Sequence, residues 1–174
     1  IARKVLDILV IPWEGLPWPW SEPDLPCTPS LTRKTIGDSS ITFADAFSVN
    51  DVDSMKLLQR TLIEKECPKP FVALLNNRAD RPLRMLSFAS FLTQESLYDH
   101  IVLTGENRGL ARRAIERRRS GKGALILKSK DPKGILDEIL EAIAFEPQLT
   151  LCGMGNRRGI GEALSNYFRA QDRL

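Results

Sequence analysis

Phe71-Val-Ala-Leu-Leu75, followed at once by Asn76-Asn-Arg-Ala-Asp-Arg81 and then by Pro82, is the stretch that decides the fold. Five consecutive apolar residues bounded by polar ones read as a strand buried on both faces, the kind found in parallel sheets. Two amides, two guanidiniums and a carboxylate then sit where that strand stops. Pro82 stands at a position suited to the first turn of a helix. In open α/β sheets, ligands bind in the crevice beyond the carboxyl ends of the strands. The 76–81 loop is therefore a candidate site by position as well as by composition. The competing reading is structural: Arg78, Asp80 and Arg81 pair among themselves and cap the next helix.

Outward from this stretch the chain alternates between short apolar runs and amphipathic segments. Strands are expected over 41–46, 71–75, 100–104, 124–127 and 149–152. His100, the only histidine, starts the third. Helices are expected over 53–66, 82–93, 107–119 and 159–169, with one more opening at Asp131-Pro132, a cap followed by a first-turn proline. Leu58 and Leu62, Phe88 and Leu92, Ala111 and Ile115, and Ile135 and Ile139 recur at helical spacing and mark the core faces. Strands separated by helices imply an α/β fold: a parallel, Rossmann-like sheet of about five or six strands, helices on both faces and right-handed crossovers.

Residues 1–40 differ. They hold six of the eleven prolines and all three tryptophans, Trp13, Trp18 and Trp20. Proline removes backbone donors and restricts its predecessor, so an irregular linker or arm is expected there, with 41–174 as the folded domain. The tryptophans suit packing on another domain, or docking on a partner or membrane interface.

Composition excludes several classes. An apolar fraction of 43% and a charged fraction of 27% describe an ordinary globular domain. A net charge of +3 does not by itself indicate a nucleic-acid binder. Three cysteines, Cys27, Cys67 and Cys152, lie far apart and offer neither a disulfide framework nor paired metal-ligand spacing. A reducing cytoplasm is the expected location. One histidine leaves Ser-His-Asp triads and histidine metal sites poorly supported, and no metal site is expected in the chain itself. No apolar run approaches the roughly 20 residues that cross a bilayer. The opening at Ile1, without a methionine, suggests a fragment or a processed chain.

Four loops follow strand ends. In the first, Asn50, Asp51, Asp53 and Ser54 exceed what one helix cap needs and can also bind a ribose or a water. The second is 76–81, where arginine forks match phosphate or carboxylate oxygens. In the third, Thr104-Gly-Glu-Asn-Arg108, Asn107 and Arg108 either receive a carboxylate or form a capped helix with a surface arginine. The fourth, 151–161, carries Gly153, Gly155, Gly159 and Gly161; its spacing is not that of a dinucleotide fingerprint, and no acidic residue follows after a further strand. A basic helix with Arg112, Arg113, Arg117, Arg118 and Arg119 suits an acidic polymer or phosphates, or a solvated face. No aromatics are interleaved, which argues against single-stranded nucleic acid.

Taken together, Asp45-Ala-Phe-Ser-Val-Asn-Asp51, Asn77-Arg-Ala-Asp-Arg81, Ile101-Val-Leu-Thr-Gly-Glu106 and Gly153-Met-Gly-Asn156, in that order at loop positions, resemble the C-terminal domain of Mur-type ATP-dependent amide ligases. Within that superfamily they are most similar to the capsule poly-gamma-glutamate synthase (CapB/PgsB type). The resemblance implies phosphorylation of a carboxylate by ATP, then attack of an amine on the acyl phosphate, joining glutamate units through the γ-carboxyl. It implies ATP and magnesium as cofactors, bound mainly by an N-terminal and central ATPase domain. As partners it implies that domain, glutamate or poly-gamma-glutamate, and membrane subunits of a capsule synthase complex, but no nucleic acid. It places Asn50, Asp51, Ser54, Arg78, Asp80 and Arg81 near the nucleotide. Thr104, Glu106, Asn107 and Arg108 fall in the amino-acid or acceptor pocket, and Gly153, Gly155 and Asn156 in a glycine loop. Arg108 replaces the proline common at its position, and Ser48 stands near where many Mur ligases have histidine. The chain contains no G-x-x-x-x-G-K-[ST], so a ligase domain inactive alone is expected. A non-catalytic binding module of the same fold and an independent nucleotide-binding enzyme are the alternatives.

Overall fold

The computed structural model describes residues 30–49, 51–94, 97–118, 123–144 and 146–170. Asn50 and the three tryptophans lie outside the described residues. Six strands form one sheet: β1 (Ser30–Ile36), β2 (Ser39–Asp45), β3 (Phe71–Asn77), β4 (His100–Gly105), β5 (Leu125–Ile126) and β6 (Gln148–Gly155), in the spatial order β1-β2-β6-β3-β4-β5. β2, β6, β3, β4 and β5 run parallel, and β1 pairs antiparallel with β2. Five helices complete the fold: α1 (Val52–Glu64), α2 (Pro82–Gln94), α3 (Arg108–Glu116), α4 (Pro132–Ala142) and α5 (Ile160–Arg169).

The apolar run that opens β3 is explained by two cores. Phe71, Ala73 and Leu75 pack with Met55, Leu58, Phe88, Leu92, Ala111 and Ile115, so α1, α2 and α3 cover one face. Val72 and Leu74 pack with Ile135, Ile139, Leu164 and Phe168, so α4 and α5 cover the other. Successive side chains of a strand point to opposite faces, and with helices on both, every position must be apolar. α1, α2 and α3 step along one face toward β5. α4 then returns on the opposite face and inserts β6 between β2 and β3. At β3 and β6 the chain therefore leaves for opposite faces, which opens a crevice at their carboxyl ends.

The structure departs from the sequence expectations at the ends of the chain and of the elements. Residues 30–40 are not irregular: β1 and a tight turn with Gly37 at φ 57° form a hairpin with β2. β1 is fixed by Lys34, whose Nζ sits 3.2 Å from the Tyr167 ring centroid and donates to the Tyr167 carbonyl at 3.1 Å. β6 runs on to Gly155, so Gly153 and Gly155 belong to a strand rather than to the loop after it. α3 stops at Glu116, earlier than the arginine run suggested.

Candidate functional site at the carboxyl rim of the sheet

The crevice is held together by two asparagines. Asn76, at the end of β3, donates through Nδ2 to the carbonyls of Asn156 (2.6 Å) and Arg158 (3.1 Å). Asn156 returns its backbone N–H to the Asn76 carbonyl at 2.9 Å and its Nδ2 to the same oxygen at 3.3 Å. Both side chains are buried. This exchange extends the β3–β6 ladder past the last regular pair and shapes the turn into α5. The neighbouring glycines serve the same tight approach. A Cβ at Gly155 (φ 91°) would lie 2.5 Å from the Asn76 carbonyl, and one at Gly105 (φ 79°) 2.2 Å from that of Asn77. The space beside Gly153 is filled by the Phe47 ring.

Above this knot lies a cleft of about 630 Å³, walled by Asn76–Asp80 of the β3 loop, Gly105 and Glu106 after β4, and Arg158, Gly159 and Ile160 at the start of α5. Arg78 Nη2 pairs with Asp80 at 2.6 Å. Glu106 accepts the Ala79 N–H through Oε2 at 2.7 Å, and its own N–H donates to the Asn77 carbonyl, so one carboxylate oxygen clamps the two loops together. α5 begins without a side-chain cap, at Gly159 with φ 74°. Its first N–H groups therefore meet the cleft with the positive end of the helix dipole, an arrangement that favours anions. The Arg158 guanidinium is exposed and makes no hydrogen bond or ion pair among the described residues. Asn77 brings a buried amide nitrogen with no hydrogen-bond partner to the same wall. The cleft is thus lined by free positive character beside carboxylates held in fixed positions.

The remaining candidates are distributed unevenly. Asp51 is the cap of α1, accepting the Ser54 N–H at 2.8 Å and the Ser54 hydroxyl at 2.9 Å. These bonds hold its carboxyl below the usual carboxylate range. Ser54 and Asp51 therefore engage each other. Arg81 and Asp51 border a second depression of about 440 Å³, together with Arg84. Arg84 was not singled out in the sequence, yet it ties two loops: Nη2 donates to the Val49 carbonyl at 2.6 Å and Nη1 reaches Asn156 Oδ1 at 3.5 Å. Burial, reinforced by the charge of Arg81, lowers its pKa. Thr104 is buried, and its hydroxyl has no hydrogen-bond partner. Asn107 adopts a left-handed conformation (φ 52°) without capping α3 through its side chain. Arg108 donates to the Leu127 carbonyl, which secures the exit of β5. Arg158, which the sequence reading also passed over, lies in the glycine-rich run; the signal available was its place at the start of a helix after a buried strand.

Among the described residues no group of three or more His, Cys, Asp or Glu is placed to hold a metal ion. Cys67 and Cys152 are free thiols, and burial raises the pKa of both. No helix among the described residues is long and apolar enough to cross a membrane.

A doubly covered, mostly parallel sheet whose polar loops converge on the carboxyl rim at a change of crossover direction defines a Rossmann-like α/β domain with a rim cleft suited to charged ligands. The chain belongs to the poly-gamma-glutamate synthase CapB C-terminal domain family, whose model matches residues 31–171. It is accordingly a component of a poly-gamma-glutamate synthase, and it works beside the other domains of that synthase. Among curated proteins, none matches the chain.

Proposed function

We propose that the domain forms one half of an ATP-dependent ligase site that joins glutamate units through the γ-carboxyl, and that the rim cleft receives the incoming amino acid. The observation that carries this reading is the pairing of the uncapped α5 N-terminus and the unengaged Arg158 with Glu106 and Asp80 across one cleft. An amino acid bears both a carboxylate and an ammonium. The helix N-terminus and Arg158 suit the first. The Glu106 oxygen not used by Ala79 suits the second. Glu106 then orients the amine, and the clamp it makes on the β3 loop keeps that orientation rigid. ATP, when bound, supplies the phosphoryl group that activates the γ-carboxylate. Arg81 and Arg84, beside the second depression, are the cationic side chains suited to its phosphates. The sequence lacks the glycine-rich phosphate loop, so on this reading the ATPase portion of the synthase supplies that cradle, and magnesium with it.

The test combines this chain with the ATPase portion, ATP and glutamate, and measures amide formation in the parent and in Arg158→Gln. Arg158 is exposed and spends no hydrogen bond on the fold, so the melting temperature stays within experimental error of the parent. Ligation falls roughly 10- to 100-fold, the loss of one charge-assisted hydrogen bond worth about 1.5–3 kcal/mol. A folded, associated mixture that forms no amide with the parent chain would overturn the ligase reading in favour of a binding module.

A further inference from the structure

The arginines of α3 take no part in the rim cleft, and they need an account of their own. Leu110, Arg113, Ala114, Arg117 and Arg118 fall at three- and four-residue spacing and make one stripe along α3 and its end. Arg112 points to another stripe, where it pairs with Glu116 at 2.6 Å. Arg113, Arg117 and Arg118 are exposed and have no ion pair among the described residues. Across from the stripe, α2 presents Leu83, Leu86, Ser87 and Ser90. Between them and Ala114, Arg117 and Arg118 runs an open groove of about 640 Å³. Among the described residues no acidic side chain lines it, and α2 contains none. Leu83 and Leu86 are 79% and 42% exposed, so bare leucines face arginines across the groove.

We propose that this groove is an extended binding site for the poly-gamma-glutamate chain itself, separate from the rim cleft that takes a single amino acid. It rests on the reading that the domain handles this polymer. The chemistry of the occupant fits the groove in two respects. A γ-linked glutamate chain carries a free carboxylate on every residue, and these meet Arg117 and Arg118 in the groove. Each residue also places two methylenes in the main chain, and these lie on the leucines. A single-stranded nucleic acid would match the charge but needs aromatic platforms for its bases, and among the described residues none line the groove. The position is also right. Leu83, the second residue of α2, and Ser87 line both the groove and the depression beside Arg81 and Arg84, so a chain leaving that depression enters the groove at Leu83 and follows α2 to Ser90, about 10 Å at the helical rise.

The experiment titrates the full chain into a fluorescently labelled γ-glutamate oligomer and follows anisotropy at low and moderate salt. Neither ATP nor the ATPase portion is needed, so the result is independent of ligation. The parent binds, and added salt weakens binding because screened charge pairs dominate. Arg117→Gln together with Arg118→Gln weakens affinity about tenfold and flattens the salt dependence, as expected for two screened pairs lost together. Leu83→Glu, which places a carboxylate in the groove at an exposed position, weakens it as well, whereas Arg60→Gln, at an exposed arginine on α1 outside groove and cleft, leaves it within about twofold. Unchanged affinity in both groove variants would overturn the proposal, as would an oligothymidylate of equal charge displacing the oligomer equally well. Ligation that still responds to Arg158→Gln in that case would show that the groove alone has failed.

Discussion

Asn76 and Arg158 touch the same turn, yet they belong to two different regions of the molecule. Asn76 is buried, and its amide is consumed by the carbonyls of Asn156 and Arg158. Arg158 contributes only its backbone to that knot and leaves its guanidinium to the cleft. The contrast shows how a polar loop at a strand end divides its work. Groups that must satisfy buried backbone are spent on the fold, because an unpaired buried polar group is costly. Groups that remain in solvent are available for a ligand. Polar composition alone marks both kinds equally.

This division can be broken from the fold side. Gly105→Ala would place a methyl 2.2 Å from the Asn77 carbonyl at a residue with φ 79°. Overpacking against backbone plus left-handed strain should cost about 3 kcal/mol or more. For a domain of this size that lowers the melting temperature by roughly 6–12 °C, measured by thermal unfolding. Asn76→Ala should cost about 2 kcal/mol, since it leaves the buried Asn156 carbonyl and the half-buried Arg158 carbonyl without their donor. If it instead left stability unchanged while abolishing ligation, the knot would belong to the ligand after all.

The smallest effect sharpens the comparison at the first loop. Asp51→Ala removes the α1 cap and should cost about 1 kcal/mol at neutral pH. The Ser54 hydrogen bonds depress the folded-state pKa of Asp51. Its contribution is therefore complete above the unfolded value, near pH 4, and disappears as pH falls through the lower folded value. Unfolding curves of parent and variant should converge in acid. A difference that persisted unchanged through the whole acid range would assign the loss to something other than the cap.

Much of this architecture was legible because its signals are local. The uninterrupted apolar run of β3 requires a sheet covered on both faces, and the helices beside it show their core faces at helical spacing. Asp131 before Pro132 announces α4, and Asp131 does accept the Gly134 N–H at 2.9 Å. β1 was hidden for a physical reason. Its run Leu31-Thr-Arg-Lys-Thr35 is polar, follows a proline-rich segment and lies at a sheet edge. What pins it is the contact of Lys34 with Tyr167, more than a hundred residues away.

The sequence by itself determined the class of fold, the strand that anchors it and the rim where polar groups collect, since hydrophobic periodicity and loop chemistry follow from neighbours along the chain. Only the tertiary structure decided the place of β6 between β2 and β3, the burial of Asn76 and Asn156, and the exposure of Arg158 and of the α3 arginines. Those outcomes depend on which distant segments come to lie side by side. A side chain's role is set by the partners that reach it first: for Asn76 they come from the end of another strand, whereas Asp51 finds its partner three residues along the chain.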